Sequence, residues 1–228
     1  MRIRSGRVQQ YSPDAASAKK VYHLCDCLRQ TARAPDSHLV VFLDEMGYRR
    51  WPKAGRVWMQ AAPTEVPVAG CGGTNNAQWR VIGALNTMTG QVCYLDNYVV
   101  GRAKVIEMYQ KLTQVYPQAE TLYVVQDNWS IHKHPDVLEA LSELPQIEPV
   151  WLPAYAPWLN PIEKLWRWLR QDVLKTHQFG SQGEELRSRV NGFLDRFALG
   201  SDTLLRYVGL QGDGLLANAC RPLRLYPT

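Results

Sequence analysis

A chain of 228 residues that is 46% hydrophobic and 21% charged has the composition of an ordinary globular protein of one or at most two domains, long enough to bury a real core. No apolar run approaches the roughly 20 residues of a membrane-spanning helix, and the longest strong one is Leu39 to Leu43. The net charge of +5 lies wholly in residues 1–35, where Arg2, Arg4, Arg7, Lys19, Lys20, Arg29 and Arg33 stand against Asp14 and Asp26 only.

The first residues, MRIRSGRVQQYSPD, carry no apolar segment behind their charges, which excludes a signal peptide. A basic arm ahead of a neutral body suits a polyanion, with phosphate backbone the first candidate; a solvated, frayed terminus is the alternative. Cys25 and Cys27 have one residue between them, not the two of a usual zinc or redox pair. Reduced thiols in a cytosolic protein are the simplest expectation.

Residues 13–33 are expected to form a helix that starts near Ser12-Pro13, runs through Ala15, Val21, Leu24 and Leu28, and stops at Pro35. His38 to Asp44 reads as a strand. Its run Leu39-Val40-Val41-Phe42-Leu43 does not alternate, which marks a strand covered on both faces. It ends at Asp44-Glu45, and carboxylates at the end of a buried strand are costly unless something pairs with them. Termination at the surface is the plain alternative. Residues 46–78 are irregular. There Arg49, Arg50, Lys53 and Arg56 interleave with Tyr48, Trp51 and Trp58, a mixture that suits a nucleic-acid backbone as well as a surface hairpin.

Trp79 to Asn86 and Gln91 to Leu95 form a hairpin around Thr87-Met88-Thr89-Gly90. Gly101 to Val115 is a helix with Val105, Met108, Tyr109 and Leu112 on one face, stopped by Pro117. Thr121 to Gln126 is a second buried strand and ends at Asp127-Asn128. A short helix covers Pro135 to Leu144, and Ile147 to Trp151 is the last strand. Residues 182–198 form an amphipathic helix with Leu186, Val190, Phe193 and Leu194 inward. Beyond Gly200, Leu204, Leu205 and Val208 are the packing candidates.

The stretch LPAYAPWLNPIEKLWRWLR, Leu152 to Arg170, begins as loop because Pro153, Pro157 and Pro161 each fix φ and remove a donor. Asn160 is a good N-cap, and Pro161 suits the first helical position. Ile162, Leu165, Trp166, Leu169 and Val173 then make one apolar stripe at helical spacing. Glu163 lies at the edge of that stripe in the first turn. There it can present a carboxylate to a cleft, or it can be a dipole-favoured Glu paired with Arg167.

Strands and helices in this order predict a layered α/β domain with a mixed sheet. Functional groups in such sheets collect at the carboxyl ends of neighbouring strands, where Asp44 and Asp127 fall and over which Glu163 is carried. Three carboxylates without a His or Cys cluster are hard oxygen ligands for Mg²⁺ or Mn²⁺. Two such ions about 3.5–4 Å apart can drive phosphodiester cleavage.

The segments VVFLDE, VVQDNWSIH and LPAYAPWLNPIEKLW resemble the three catalytic blocks of DDE transposases, closest to the mariner-like bacterial insertion-sequence enzymes of the retroviral-integrase superfamily. From Asp127 to Glu163, 35 residues intervene, a spacing within that family's range. The resemblance covers residues 37–175. It implies an RNase H-like mixed sheet flanked by helices, a catalytic, metal-binding triad of Asp44, Asp127 and Glu163, and two Mg²⁺ or Mn²⁺ ions. It further implies DNA as partner, at element ends and at the target, and a homodimer on DNA in the bacterial cytoplasm, with no membrane role.

Around the triad, Glu45 points to the opposite strand face and is the second choice to Asp44. Asn128 and His132 belong to the second block, with His132 expected to hold the loop by hydrogen bonding. Tyr155, Trp158 and Asn160 border the cleft, where DNA contact and turn packing explain them equally. Arg167 and Arg170 share a side of the helix with Glu163 and can hold phosphates. The expected division is a basic arm and helix at 1–36, the catalytic core at 37–175 and a helical extension at 176–228.

One departure stands out. Relatives carry helix-turn-helix domains before the core, whereas 43 residues precede Asp44 here. The expected readings are a catalytic fragment, the second product of a split or frameshifted reading frame that leaves a helix-turn-helix portion separately encoded, or a decayed element; end recognition is not expected of this polypeptide alone. Two further readings remain open: a stand-alone nuclease on the same fold, and a truncated or domesticated DNA-binding protein without catalysis.

Overall fold

The structure, a computed structural model, describes residues 12–53, 68–72, 75–97 and 99–211. Arg2, Arg4, Arg7, Arg56 and Trp58, all named above, lie outside the described residues. In chain order the elements are α1 (Ser17–Arg33), β1 (His38–Arg49), β2 (Gln78–Asn86), β3 (Val92–Asn97), α2 (Arg102–Val115), β4 (Thr121–Gln126), α3 (Pro135–Ser142), β5 (Ile147–Trp151), α4 (Ile162–Leu169), α5 (Gly183–Asp195) and α6 (Asp202–Val208).

The five strands form one sheet in the order β3-β2-β1-β4-β5. β3, β2 and β1 are antiparallel, and β1, β4 and β5 are parallel. This is the mixed α/β layering that the alternation of elements predicts. The hairpin turn closes with Gly90 at φ +68°, in the left-handed region that favours glycine.

Residues 39 to 43 are all buried, because alternate side chains meet different helix layers. Val40 and Phe42 join one core with α1, α4, α5 and α6, which includes Leu24, Trp166, Leu194 and Leu204. Leu39, Val41 and Leu43 join the other, beneath α2 and α3, with Met108, Tyr109 and Val137. The packing residues expected after position 182 are buried in the first core, so the C-terminal helices share it with the sheet.

Three local expectations need correcting. β1 does not stop at Asp44; it continues to Arg49, because β2 pairs with it as far as Arg49–Gln78. α1 starts at Ser17 and not at Pro13, since Asp14 first closes a turn on the amide of Ala16. The stripe helix does not stay regular through Val173; its last turn, Arg170–Leu174, widens into a π-turn. Cys27, Cys71 and Cys93 are free thiols, as expected, but Cys25 is disulfide-bonded.

A candidate acidic centre at the sheet edge

The parallel ladder of β1 with β4 ends at Phe42 and Val125. Asp44 therefore has no strand neighbour on that side, although it still faces Gly83 of β2. β4 stops at Gln126, and Asp127 follows directly. The gap opened by the end of one strand beside a continuing one receives both carboxylates.

Glu163 comes to the same edge in the first turn of α4. The Asn160 side chain accepts from the Ile162 amide at 3.4 Å and reaches the Leu43 carbonyl at 3.5 Å, so it ties the start of α4 to β1 one residue before Asp44. Pro161 has helical angles but stands at the N-cap, one residue earlier in the helix numbering than expected, so that Ile162 is the first helical residue and Asn160 precedes the cap. The Glu163–Arg167 pair, the plain alternative, does not form; the Glu163 carboxylate has no hydrogen bond or ion pair with any described residue.

Asp44 and Trp166 connect strand and helix: the indole Nε1–H donates to Asp44 Oδ2 at 2.9 Å. Burial pushes the Asp44 carboxyl up to about 7, and the charges of Glu163 and then Asp127 add to the effect against hydrogen bonds from the Glu45 amide and Trp166. A carboxyl group under this pressure is a ready partner for a cation. Among the described residues no group of three or more His, Cys, Asp or Glu side chains is arranged to hold a metal ion. The donor set nevertheless fits a hard divalent cation, since every candidate ligand is a carboxylate oxygen.

Asp127 is 55% exposed at its side chain, and its Oδ1 accepts from the Trp129 amide at 2.9 Å. Asn128 donates to the Leu152 carbonyl at 2.6 Å and accepts from Lys133 at 3.0 Å, which joins the ends of β4 and β5. His132 is buried, with Nε2 3.4 Å from Glu45 Oε1 and 3.7 Å from Asp127 Oδ1. Burial holds its imidazole down at about 4, so it is neutral near pH 7.

Glu45 pairs with Ile82 and projects to the α2 side, opposite Asp44. Burial, then the charges of Asp44 and Asp127, push its carboxyl up to about 8. Asn160 is buried with both ends of its amide engaged, the arrangement that turn packing, one of its two readings, requires. Tyr155 is 82% exposed and holds φ +54°, a strained value for a tyrosine beside the site. Trp158 is exposed, as are Arg167 and Arg170. The role of Trp166 was missed from sequence, where it counted only as stripe; a buried indole must place its N–H, and that was the available signal.

A family model described as DDE superfamily endonuclease matches residues 39–187. An "insertion element IS630 uncharacterized 39 kDa protein" of Shigella sonnei is 29% identical over 159 residues, which are 69% of this chain and 45% of that one. The chain thus spans under half the length of that curated relative. A pre-cleavage Mos1 transpososome matches with TM-score 0.63 at 16% identity, over 97% of this chain and 66% of that one. The Mos1 mariner paired end complex with Mn matches with TM-score 0.61 at 16% identity, over 98% and 68%. These likenesses give the mixed sheet with its flanking helices as the RNase H-like fold.

Proposed function

The chain belongs to the DDE superfamily endonuclease family, and from that membership we propose that it is the catalytic part of a transposase. It cuts DNA at element ends and joins the freed 3′-hydroxyl to target DNA. The observation that carries the reading is the bond from Trp166 to Asp44, which ties to β1 the helix that bears Glu163 three residues earlier, while Asp127 directly follows β4, the neighbouring strand.

Asp44, Asp127 and Glu163 would hold Mg²⁺ or Mn²⁺. Two such ions, when bound, supply activation of the attacking oxygen and charge stabilisation of the leaving one. The chain's own residues set the geometry. Trp166 fixes one oxygen of Asp44, the Trp129 amide fixes one of Asp127, and the Asn160 turn sets the start of the Glu163 helix. The Mn-bearing complex among the similar structures supports this choice of metal. We further propose that the protein works as a homodimer on DNA in the bacterial cytoplasm, with a separately encoded helix-turn-helix portion reading the element ends.

The test uses the full chain and a pre-nicked DNA end, which bypasses end recognition. Asp44→Asn, Asp127→Asn and Glu163→Gln each keep shape and remove a charge that hard-cation binding needs. Each should abolish Mg²⁺-dependent cleavage and joining while DNA binding and thermal unfolding stay as in wild type. Near-full activity in Glu163→Gln would refute the assignment. Wild-type cleavage without joining would favour a stand-alone nuclease, and DNA binding with neither reaction would favour a non-catalytic binder.

A further inference from the structure

The two elements that carry Asp44 and Glu163 run on into a single groove of about 590 Å³. Arg49 and Lys53 line it from the β1 side, Arg170 and Lys175 from the end of α4, and Trp51 forms part of its wall. The Lys53 and Lys175 backbones, both in the groove's lining, meet in a parallel bridge. Among the described residues no carboxylate lines the groove. None of its four cations makes an ion pair with a described residue, although Arg187, Arg189 and Arg29 elsewhere do. Four cations facing one concavity, unpaired among the described residues, repel one another, an arrangement that suits an anionic occupant.

Trp51 is held in place, its amide donating to Asn76 Oδ1 at 2.9 Å and its indole to the Gly72 carbonyl at 3.0 Å. A fixed indole beside cations is a platform for a base or sugar next to a bound phosphate. Distance ties the groove to the acidic centre. Arg170 is seven residues beyond Glu163, about 10 Å at 1.5 Å per helical residue. Arg49 is five residues beyond Asp44, about 16 Å at strand rise. At 3.4 Å per nucleotide along one strand, this reach is about three to five nucleotides.

We infer that the groove lined by Arg49, Lys53, Arg170 and Lys175 seats the DNA backbone three to five nucleotides from the scissile phosphate. The inference rests on the proposed function and extends it from chemistry at the acids to the path of the strand.

The test measures binding of the full chain to a DNA end as a function of salt. Lys53→Gln/Lys175→Gln should reduce the slope of log affinity against log salt by up to about 1.8, at about 0.9 per lost contact on duplex DNA. Arg102→Gln/Arg206→Gln, a charge-matched change at exposed positions of α2 and α6 outside the basic arm, should leave the slope as in wild type. Methylphosphonate linkages three to five nucleotides from the nick on one side should weaken wild-type binding and have little effect on the groove variant. An unchanged slope in the groove variant, or an equal loss in the α2/α6 control, would overturn the groove while leaving the proposed function standing. Failure of wild type to bind DNA at any salt would overturn both.

Discussion

Trp166 donates its indole N–H to Asp44 across 2.9 Å, so the residue that anchors α4 in the core also aims the carboxylate. Trp166→Phe keeps most of the buried ring and removes the donor. Loss of such a supporting bond typically costs about 10- to 100-fold in metal affinity or activity. Mg²⁺ titration followed by cleavage should show a loss of that order with an intact fold. Wild-type affinity in the variant would mean that the indole only packs.

Gly83 makes this approach possible. A Cβ at that position would stand 2.7 Å from the Trp166 ring. Gly83→Ala must displace Trp166 or spread β2 from α4, with an overpacking cost of about 1–3 kcal/mol. Denaturant unfolding measures the cost. Cleavage should fall with it, because the displaced indole no longer meets Asp44.

Glu45 and Asp44 are adjacent but face opposite sides of the sheet. Glu45→Gln should therefore keep most of the strand-cleavage activity that Asp44→Asn loses. Activity assays on the two variants side by side decide the matter; the reverse order of effects would exchange their roles.

Much of this was legible in the sequence, for identifiable reasons. β4 and β5 have the bounds that the apolar runs and flanking breakers predict. The α4 stripe is buried at Ile162, Leu165, Trp166 and Leu169, because a strong period survives any packing detail. The continuation of β1 was missed, since Asp44-Glu45 looks like a surface end. Met46 and Tyr48 are buried between exposed Gly47 and Arg49, and that alternation was a readable sign of strand. The position of His132 between Glu45 and Asp127 depends on register across the sheet, which one sequence does not encode locally.

A latch holds the proline loop that leads to Glu163. Asp14 accepts from Lys20 at 2.8 Å, from the Ala16 amide at 2.9 Å and from the Ala154 amide at 3.1 Å. The Lys20 hydrogen bond, then those two amides, hold its carboxyl down at about 2, below the usual 3.8. A depressed folded pKa gives stability that is present above the unfolded value and lost as pH falls through the folded one. Asp14→Ala should lower the melting temperature near neutral pH, and the gap from wild type should close between pH 3.8 and about 2. A gap independent of pH would mean that the charge of Asp14 plays no part.

The order of the strands also dictates an order of assembly. β1 meets β2 through a shorter loop, but its parallel partner β4 begins 83 positions further along, His38 against Thr121. Long-range closure costs chain entropy before any contact rewards it, so the hairpin side should gain order ahead of the parallel side. Pulsed hydrogen exchange during refolding should protect β2 amides before those of β4 and β5; simultaneous protection would contradict it. A partly folded or partly synthesised chain then holds Asp44 without Asp127 or Glu163. On the proposed function, a site whose acids come from three distant segments is kept inert until folding is almost finished.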